Sequence, residues 1–162
     1  MSTGDRGDRA RPHAGLVVVE IGQNVAAPMA GQAFADLGAE VIKVEKADGD
    51  DARRWGPPFW EGASAVFQAI NRNKASVVVD FGSERDVAAL RALILARADV
   101  VIQSMRPGLL EQKGLRADEV FAAKPSLVWC DLGAFGSGGP LSEQPGYDPL
   151  MQASGGDRKS VV

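Results

Sequence analysis

The chain has 162 residues, 45% of them apolar, and a formal net charge of −3. That size and balance describe one soluble α/β domain and exclude a general nucleic-acid or membrane-surface binder, while no apolar run approaches the roughly 20 residues of a spanning helix. A single cysteine, Cys130, and a single histidine, His13, remove disulfide frameworks, His-based triads and most zinc sites, so a reducing cytoplasm and no metal are expected.

Residues 1–14 carry charge without an apolar core and read as a disordered leader. Leu16 to Ile21 is a Val-rich run, short enough for a buried strand. A turn with Gly22 and Asn24 follows, and then a one-faced helix in which Pro28 sits in the first turn. Ala30, Phe34 and Leu37 supply its apolar stripe, and Gly38 its stop. Glu40 to Glu45 is a second strand. Strand, helix and strand make a right-handed βαβ unit, which implies a parallel sheet with its ligand crevice at the carboxyl ends of the strands.

Residues 46–64 show no periodicity and hold two prolines and two tryptophans. They read as a long ordered loop, either functional or a plug in which Trp55, Phe59 and Trp60 seal the sheet end. Ala65 to Ile70 is a helical turn leading to the polar quartet Asn71, Arg72, Asn73 and Lys74, and Ser76 to Phe81 is a strand. Ser83 caps the next helix, with Asp86 at its third position and Val87, Leu90 and Ile94 on one face. A strand from Asp99 to Gln103 leads to Ser104, Met105, Arg106, Pro107 and Gly108. Two short helices, Leu109 to Lys113 and Ala117 to Ala123, precede a strand from Ser126 to Leu132. From Gly133 to Asp148 the chain turns to glycine. Five strands separated by helical segments predict a Rossmann-like, doubly wound, mostly parallel sheet.

The common nucleotide signatures are missing. The first turn holds one glycine instead of G-x-G-x-x-G, and Glu45 only mimics the ribose-binding acid of that motif; there is no G-x-x-x-x-G-K-[ST]. The run GAFGSGGP could present N–H groups to an anion, or could be a flexible crossing.

Five segments in order, AGQAFADLGAEVIKVEKADGD, NRNKASVVVDF, ADVVIQSMRPGLLEQKGL, PSLVWCDLGAFGSGGP and PGYDPLMQASGG, resemble the amino-terminal part of the class III (CaiB/BaiF-type) CoA-transferases, the group of formyl-CoA transferase, carnitine CoA-transferase and α-methylacyl-CoA racemase. The resemblance runs from Gly15 to Gly156. It implies part of the large domain of a two-domain, interlocked homodimer over residues 15–156, with coenzyme A and acyl-CoA as substrates, a carboxylic acid as partner, and no permanently bound cofactor. It places Asn24 and Val25 against coenzyme A and Lys46 at its phosphates, a point-charge role that suits an ammonium. Lys74 follows the family's N-R-N-K pattern, its plain alternative being a solvated lysine ahead of a strand. Ser104, Met105 and Arg106 match the family's N-F-R-P-G segment with Asn and Phe replaced, which leaves backbone contacts as the expectation there. Gln112 stands where relatives are often basic. Tyr147 and Asp148 complete the expected coenzyme A residues.

In the family an Asp carboxylate attacks the thioester and passes through acyl-aspartyl and aspartyl-CoA intermediates. By the family's register that Asp lies beyond Val162 and is not Asp148, so no catalytic residue is expected in this stretch and the fragment should be inactive. Racemases carry a His where Tyr147 stands. A tyrosine, with an ordinary pKa of about 10, suits that proton exchange poorly. Racemization by the same scaffold and a non-catalytic CoA- or nucleotide-binding module are the two alternatives. Residues 157–162, DRKSVV, depart from the family pattern. They can be encoded by a common sequencing-adaptor sequence and are expected to be a non-native tail.

Overall fold

A computed structural model describes residues 11–136, 138–142, 144 and 146–156. Its centre is a five-stranded sheet built from β1 (Val17–Ile21), β2 (Glu40–Glu45), β5 (Lys74–Val78), β6 (Val100–Gln103) and β7 (Val128–Asp131). The strands lie in the order β5-β2-β1-β6-β7, every neighbouring pair parallel. Chain order runs outward from β1 to β5, then returns to pair β6 with the other side of β1. The strand order therefore reverses between β1 and β6, which is where a doubly wound sheet opens its crevice.

Side chains alternate across the sheet and divide the core in two. Val19, Ile21, Val44 and Val101 meet Val87, Leu90 and Ile94 of α3 (Glu84–Arg97), joined by Leu110, Leu115, Val120 and Leu127. On the opposite face Val18, Val41 and Ile102 meet Ala27 and Ala35 of α1 (Ala26–Asp36). Ser83 caps α3 as expected, its hydroxyl accepting from the Asp86 amide at 3.3 Å.

The expected stripe of α1 is displaced. Ala27, Pro28, Gly31, Gln32 and Ala35 are its buried residues, whereas Ala30 and Phe34 are only partly covered and Leu37 is 42% exposed. Small residues let the helix sit close on the sheet, and a Cβ at Gly31 would run into the Glu20 carboxylate. Gly38 does end the helix, in the left-handed region at φ 99°. The third expected strand, Ser76 to Phe81, lies earlier in the chain, at Lys74–Val78 with Lys74 opposite Val41, because β2 sets its register.

Residues 46–64 contain a 3-10 turn, Asp51–Arg54, and a hairpin of β3 (Phe59–Trp60) and β4 (Ala63–Ser64) that leads into α2 (Ala65–Asn71). The plug under this segment is Ala52, Ala63 and Phe67, not Trp55, Phe59 and Trp60. Trp55, Phe59 and Trp60 are 45%, 57% and 67% exposed. Of the stretch read as a leader, residues 11–14 form a turn on α1: the His13 amide donates to the Leu37 carbonyl at 3.1 Å, and its ring lies 5.1 Å from that of Phe34. Residues 1–10 and the tail 157–162 lie outside the described residues. After α4 (Leu109–Gln112), α5 (Ala117–Ala123) and β7, a short helix absent from the sequence reading, α6 (Asp148–Ser154), carries no buried residue.

Candidate functional site

All five strands end on one edge, so the residues that follow β1, β2 and β6 share it. After β1 come Gly22, Gln23, Asn24 and Val25; after β2 comes Lys46; after β6 come Ser104, Met105 and Arg106. Neighbouring strands are spaced about 4.8 Å apart, which sets the ends of β2 and β6, two strands apart across β1, roughly 10 Å from each other. At the reversal the chains nearly touch: a Cβ on Gly22 would collide with the Ser104 hydroxyl, and the Ser104 amide donates to the Ile21 carbonyl at 3.0 Å.

The start of α1 lacks local support. Its N-cap, Val25, offers no side-chain hydrogen bond and is 42% exposed, and Asn24 holds a left-handed φ of 67°. Asn24 Oδ1 and Gln23 Oε1 are buried with no hydrogen-bond partner among the described residues. What holds the turn comes from other strands. Asp50 Oδ1 accepts from the Asn24 amide at 3.0 Å and from the Ala52 amide at 2.9 Å. Asp50 Oδ2 lies 2.9 Å from Lys43 Nζ, which is also 2.9 Å from Glu20 Oε1 and 3.2 Å from the Gly22 carbonyl. Glu20 Oε2 accepts from Lys74 Nζ at 2.7 Å, and Lys74 donates further to the Pro28 carbonyl at 2.6 Å and Asn71 Oδ1 at 3.0 Å. Two ammonium groups and two carboxylates thus form one neutral buried row under α1. Burial lowers the Lys74 pKa, and the adjacent Glu20 carboxylate offsets part of that.

Beside the row stands a second anchor. Glu45 accepts from Arg53 Nε at 2.8 Å and Nη2 at 2.7 Å, from Ser76 Oγ at 2.6 Å and from the Asp50 amide at 2.8 Å. Burial opposes its ionisation, yet the hydrogen bonds from Arg53, Ser76 and Asp50 prevail and hold its pKa at about 2. The Arg53 guanidinium also lies 3.9 Å from the Phe67 ring centroid, a cation–π contact that fixes the 3-10 turn over the plug.

The other side of the reversal is open. A cavity of about 450 Å³ lies between the ends of β6 and β7, lined by Met105, Arg106, Leu110, Leu115, Trp129 and Asp131 among others. Gln103 latches its floor: its Oε1 accepts from the Met105 amide at 2.8 Å and its amide nitrogen donates to Asp131, which also accepts from Trp129 Nε1 at 2.8 Å.

Of the residues singled out from sequence, Asn24, Val25, Lys46, Ser104, Met105 and Arg106 gather along this edge. Lys46 is half-exposed and pairs with Asp51 at 2.7 Å; Arg106 is exposed. Lys74 is neither solvated nor turned to the edge, because its three donors are all taken inside. Tyr147 and Asp148 open α6; Tyr147 is 60% exposed, and Asp148 accepts from Gln152 Nε2 at 2.5 Å. Sequence reasoning missed Glu20, Lys43 and Asp50. The signal was present, since VVVEI and EVIKVE each place a charge at the middle of a run that must be buried. Among the described residues no cluster of His, Cys, Asp and Glu has the arrangement of a metal site, and no helix is long and apolar enough to cross a membrane.

Comparison with known proteins places this geometry. A succinate–glutarate CoA-transferase of Agrobacterium fabrum is 39% identical over 159 residues, covering 94% of this chain and 40% of the relative. A probable fatty acyl-CoA transferase of Mycobacterium tuberculosis is 41% identical over 154 residues, covering 91% of this chain and 38% of the relative. The crystal structure of a CaiB/BaiF family protein from Brucella suis superposes with a TM-score of 0.84 at 44% identity, covering 90% of this chain and 39% of that one. This chain therefore spans about two fifths of the length of these relatives. Residues 14–159 match CoA-transferase family III, and the chain belongs to that family.

Proposed function

We infer that this stretch supplies the coenzyme A-binding edge of an enzyme that moves CoA from an acyl-CoA to a free carboxylic acid. The observation that carries the reading is the convergence, at the reversal of the strand order, of a helix start without a side-chain cap, the Lys46 ammonium and the Arg106 guanidinium beside a largely apolar cavity. Free backbone N–H groups and two cations suit a pyrophosphate and a ribose phosphate, and a cavity walled by Met105, Leu110 and Trp129 suits a flat base or an apolar arm. The named relatives differ in their acyl groups, succinate and glutarate in one and fatty acyl in the other, and are both named as CoA transferases.

In the proposed chemistry an enzyme carboxylate attacks the thioester carbonyl and expels CoA thiolate, leaving a mixed anhydride. The thiolate then attacks the enzyme's acyl carbon, releases the first acid and forms an enzyme thioester. The second acid's carboxylate reverses these steps and leaves as the new acyl-CoA. Asp148 is not assigned the nucleophile's role: it is exposed at the first position of α6 and bonded to Gln152. From the register of the family resemblance we place the nucleophile outside this stretch and expect the 162-residue chain alone to bind without turnover. Tyr147 stands where racemases carry an imidazole, and we read that replacement as favouring transfer over racemization.

Titration calorimetry of the chain with CoA and with 3′-dephospho-CoA tests the assignment. Lys46→Ala and Arg106→Ala should each weaken CoA by about tenfold or more, as charge-assisted phosphate contacts of roughly 1.5–3 kcal/mol require. At least one should weaken the dephosphorylated ligand less. Equal losses for both ligands in both variants would remove these side chains from the 3′-phosphate, and no binding of CoA by the wild type would overturn the reading.

A further inference from the structure

The turn holding Asn24 and Val25 has no local reason to keep its shape. Asn24 occupies the left-handed region, its own side-chain oxygen has no hydrogen-bond partner among the described residues, and α1 begins without a side-chain cap. A non-glycine residue in that conformation persists only where its surroundings impose it. The surroundings here are one carboxylate. Asp50, 1% exposed, takes the Asn24 amide on Oδ1 and faces the Lys43 ammonium with Oδ2, and Lys43 in turn holds the Gly22 carbonyl just ahead of the turn.

We propose that Asp50 is a positioning residue that fixes the Asn24–Val25 turn and the loop after β2 as one rigid unit, so that the helix start and Lys46 face the ligand at a set spacing. The proposal rests on the reading of that edge as the coenzyme A site. Three features support it. Oδ1 is shared between the turn and the Ala52 amide, so the same atom that holds Asn24 also caps the 3-10 turn, whose first residue, Asp51, pairs with Lys46. The Asp50 amide is itself clamped by Glu45 at 2.8 Å, which leaves the carboxylate little room to move. The charge row reaches α1 a second time through Lys74, whose ammonium holds the Pro28 carbonyl, so the first turn of the helix is held from both sides of Asn24. No contact of Asp50 with ligand is required: it acts through Asn24.

Amide hydrogen exchange by NMR on the whole 162-residue chain, without ligand, is the first test. The Asn24 amide should exchange slowly, within about tenfold of the central-strand amide of Val19, although it lies in a turn. Exchange at the rate of an exposed loop amide would overturn the proposal whether or not any variant folds. In Asp50→Ala the Asn24 amide should exchange about a hundredfold faster than in wild type relative to Val19, and CoA should bind about tenfold more weakly. Ile94→Ala, which opens the core under the last turns of α3, at the end of the sheet away from the site, serves as a variant of lowered stability and should leave CoA affinity within about twofold of wild type. An Asp50→Ala chain with wild-type exchange at Asn24, or an Ile94→Ala chain that loses affinity equally, would reduce Asp50 to a structural ion-pair partner. If wild type fails to bind CoA, the coenzyme A reading fails, and the exchange measurement still decides whether Asp50 positions the turn.

Discussion

The two sides of the strand-order reversal are built on opposite plans. On the side of β1, β2 and β5, every donor of Lys43 and Lys74 faces an oxygen, Glu45 takes four hydrogen bonds, and helix α1 rides on alanines and glycine above them. On the side of β6 and β7, the edge strand shows Val128 at 58% exposure, a cavity stands open, and α6 buries nothing. The first side is fixed by internal charges. The second has room for a ligand or for further chain, and the difference separates residues that shape the site from residues free to touch what enters it.

The contrast breaks most severely at Lys43. Lys43→Met leaves Asp50 and one oxygen of Glu20 buried without their cation, and removing one partner of a buried pair costs about 3–5 kcal/mol. Urea unfolding should show that loss, and a change below about 1 kcal/mol would mean that water reaches the row. Glu45 gives the next effect. Its folded pKa of about 2 lies below the ordinary 4.5, so its stabilisation is complete above about 4.5 and drains away as pH falls toward about 2. The loss is on the order of 2–3 kcal/mol across that window. Unfolding measured between those limits should slope in wild type and flatten in Glu45→Gln. Arg106→Ala, on the open side, should move stability by no more than about 0.5 kcal/mol in the same assay, as an exposed residue with no ion pair among the described residues does.

The sheet was legible from sequence because its strands are apolar runs and its helices carry stripes and caps. The Ser83 cap and the Val87, Leu90 and Ile94 face of α3 were read residue by residue. The α1 stripe was misread because large residues were taken as the buried ones, whereas the close approach to Glu20 demands glycine and alanine. For Trp55, Phe59 and Trp60 the sequence allows a functional loop or a plug, and the structure gives the plug's place to Ala52, Ala63 and Phe67. For the site, the residues after each strand were placed by resemblance to known motifs. The carboxylates and ammonium beneath them were not, because an isolated charge in an apolar run announces burial without naming its partner across 23 or 26 residues of chain.

The neutral row also bears on how the chain reaches its fold. Its four groups come from β1, β2, the loop after β2 and β5, spread from Glu20 to Lys74. Docking any three without the fourth strands a charge in a dry interior, at a cost comparable to a large share of a small domain's total stability. Partly assembled forms of this region are thereby disfavoured, and residues 17 to 78 are expected to gain their structure in a single cooperative step, with the charges acting as a check that every segment has arrived.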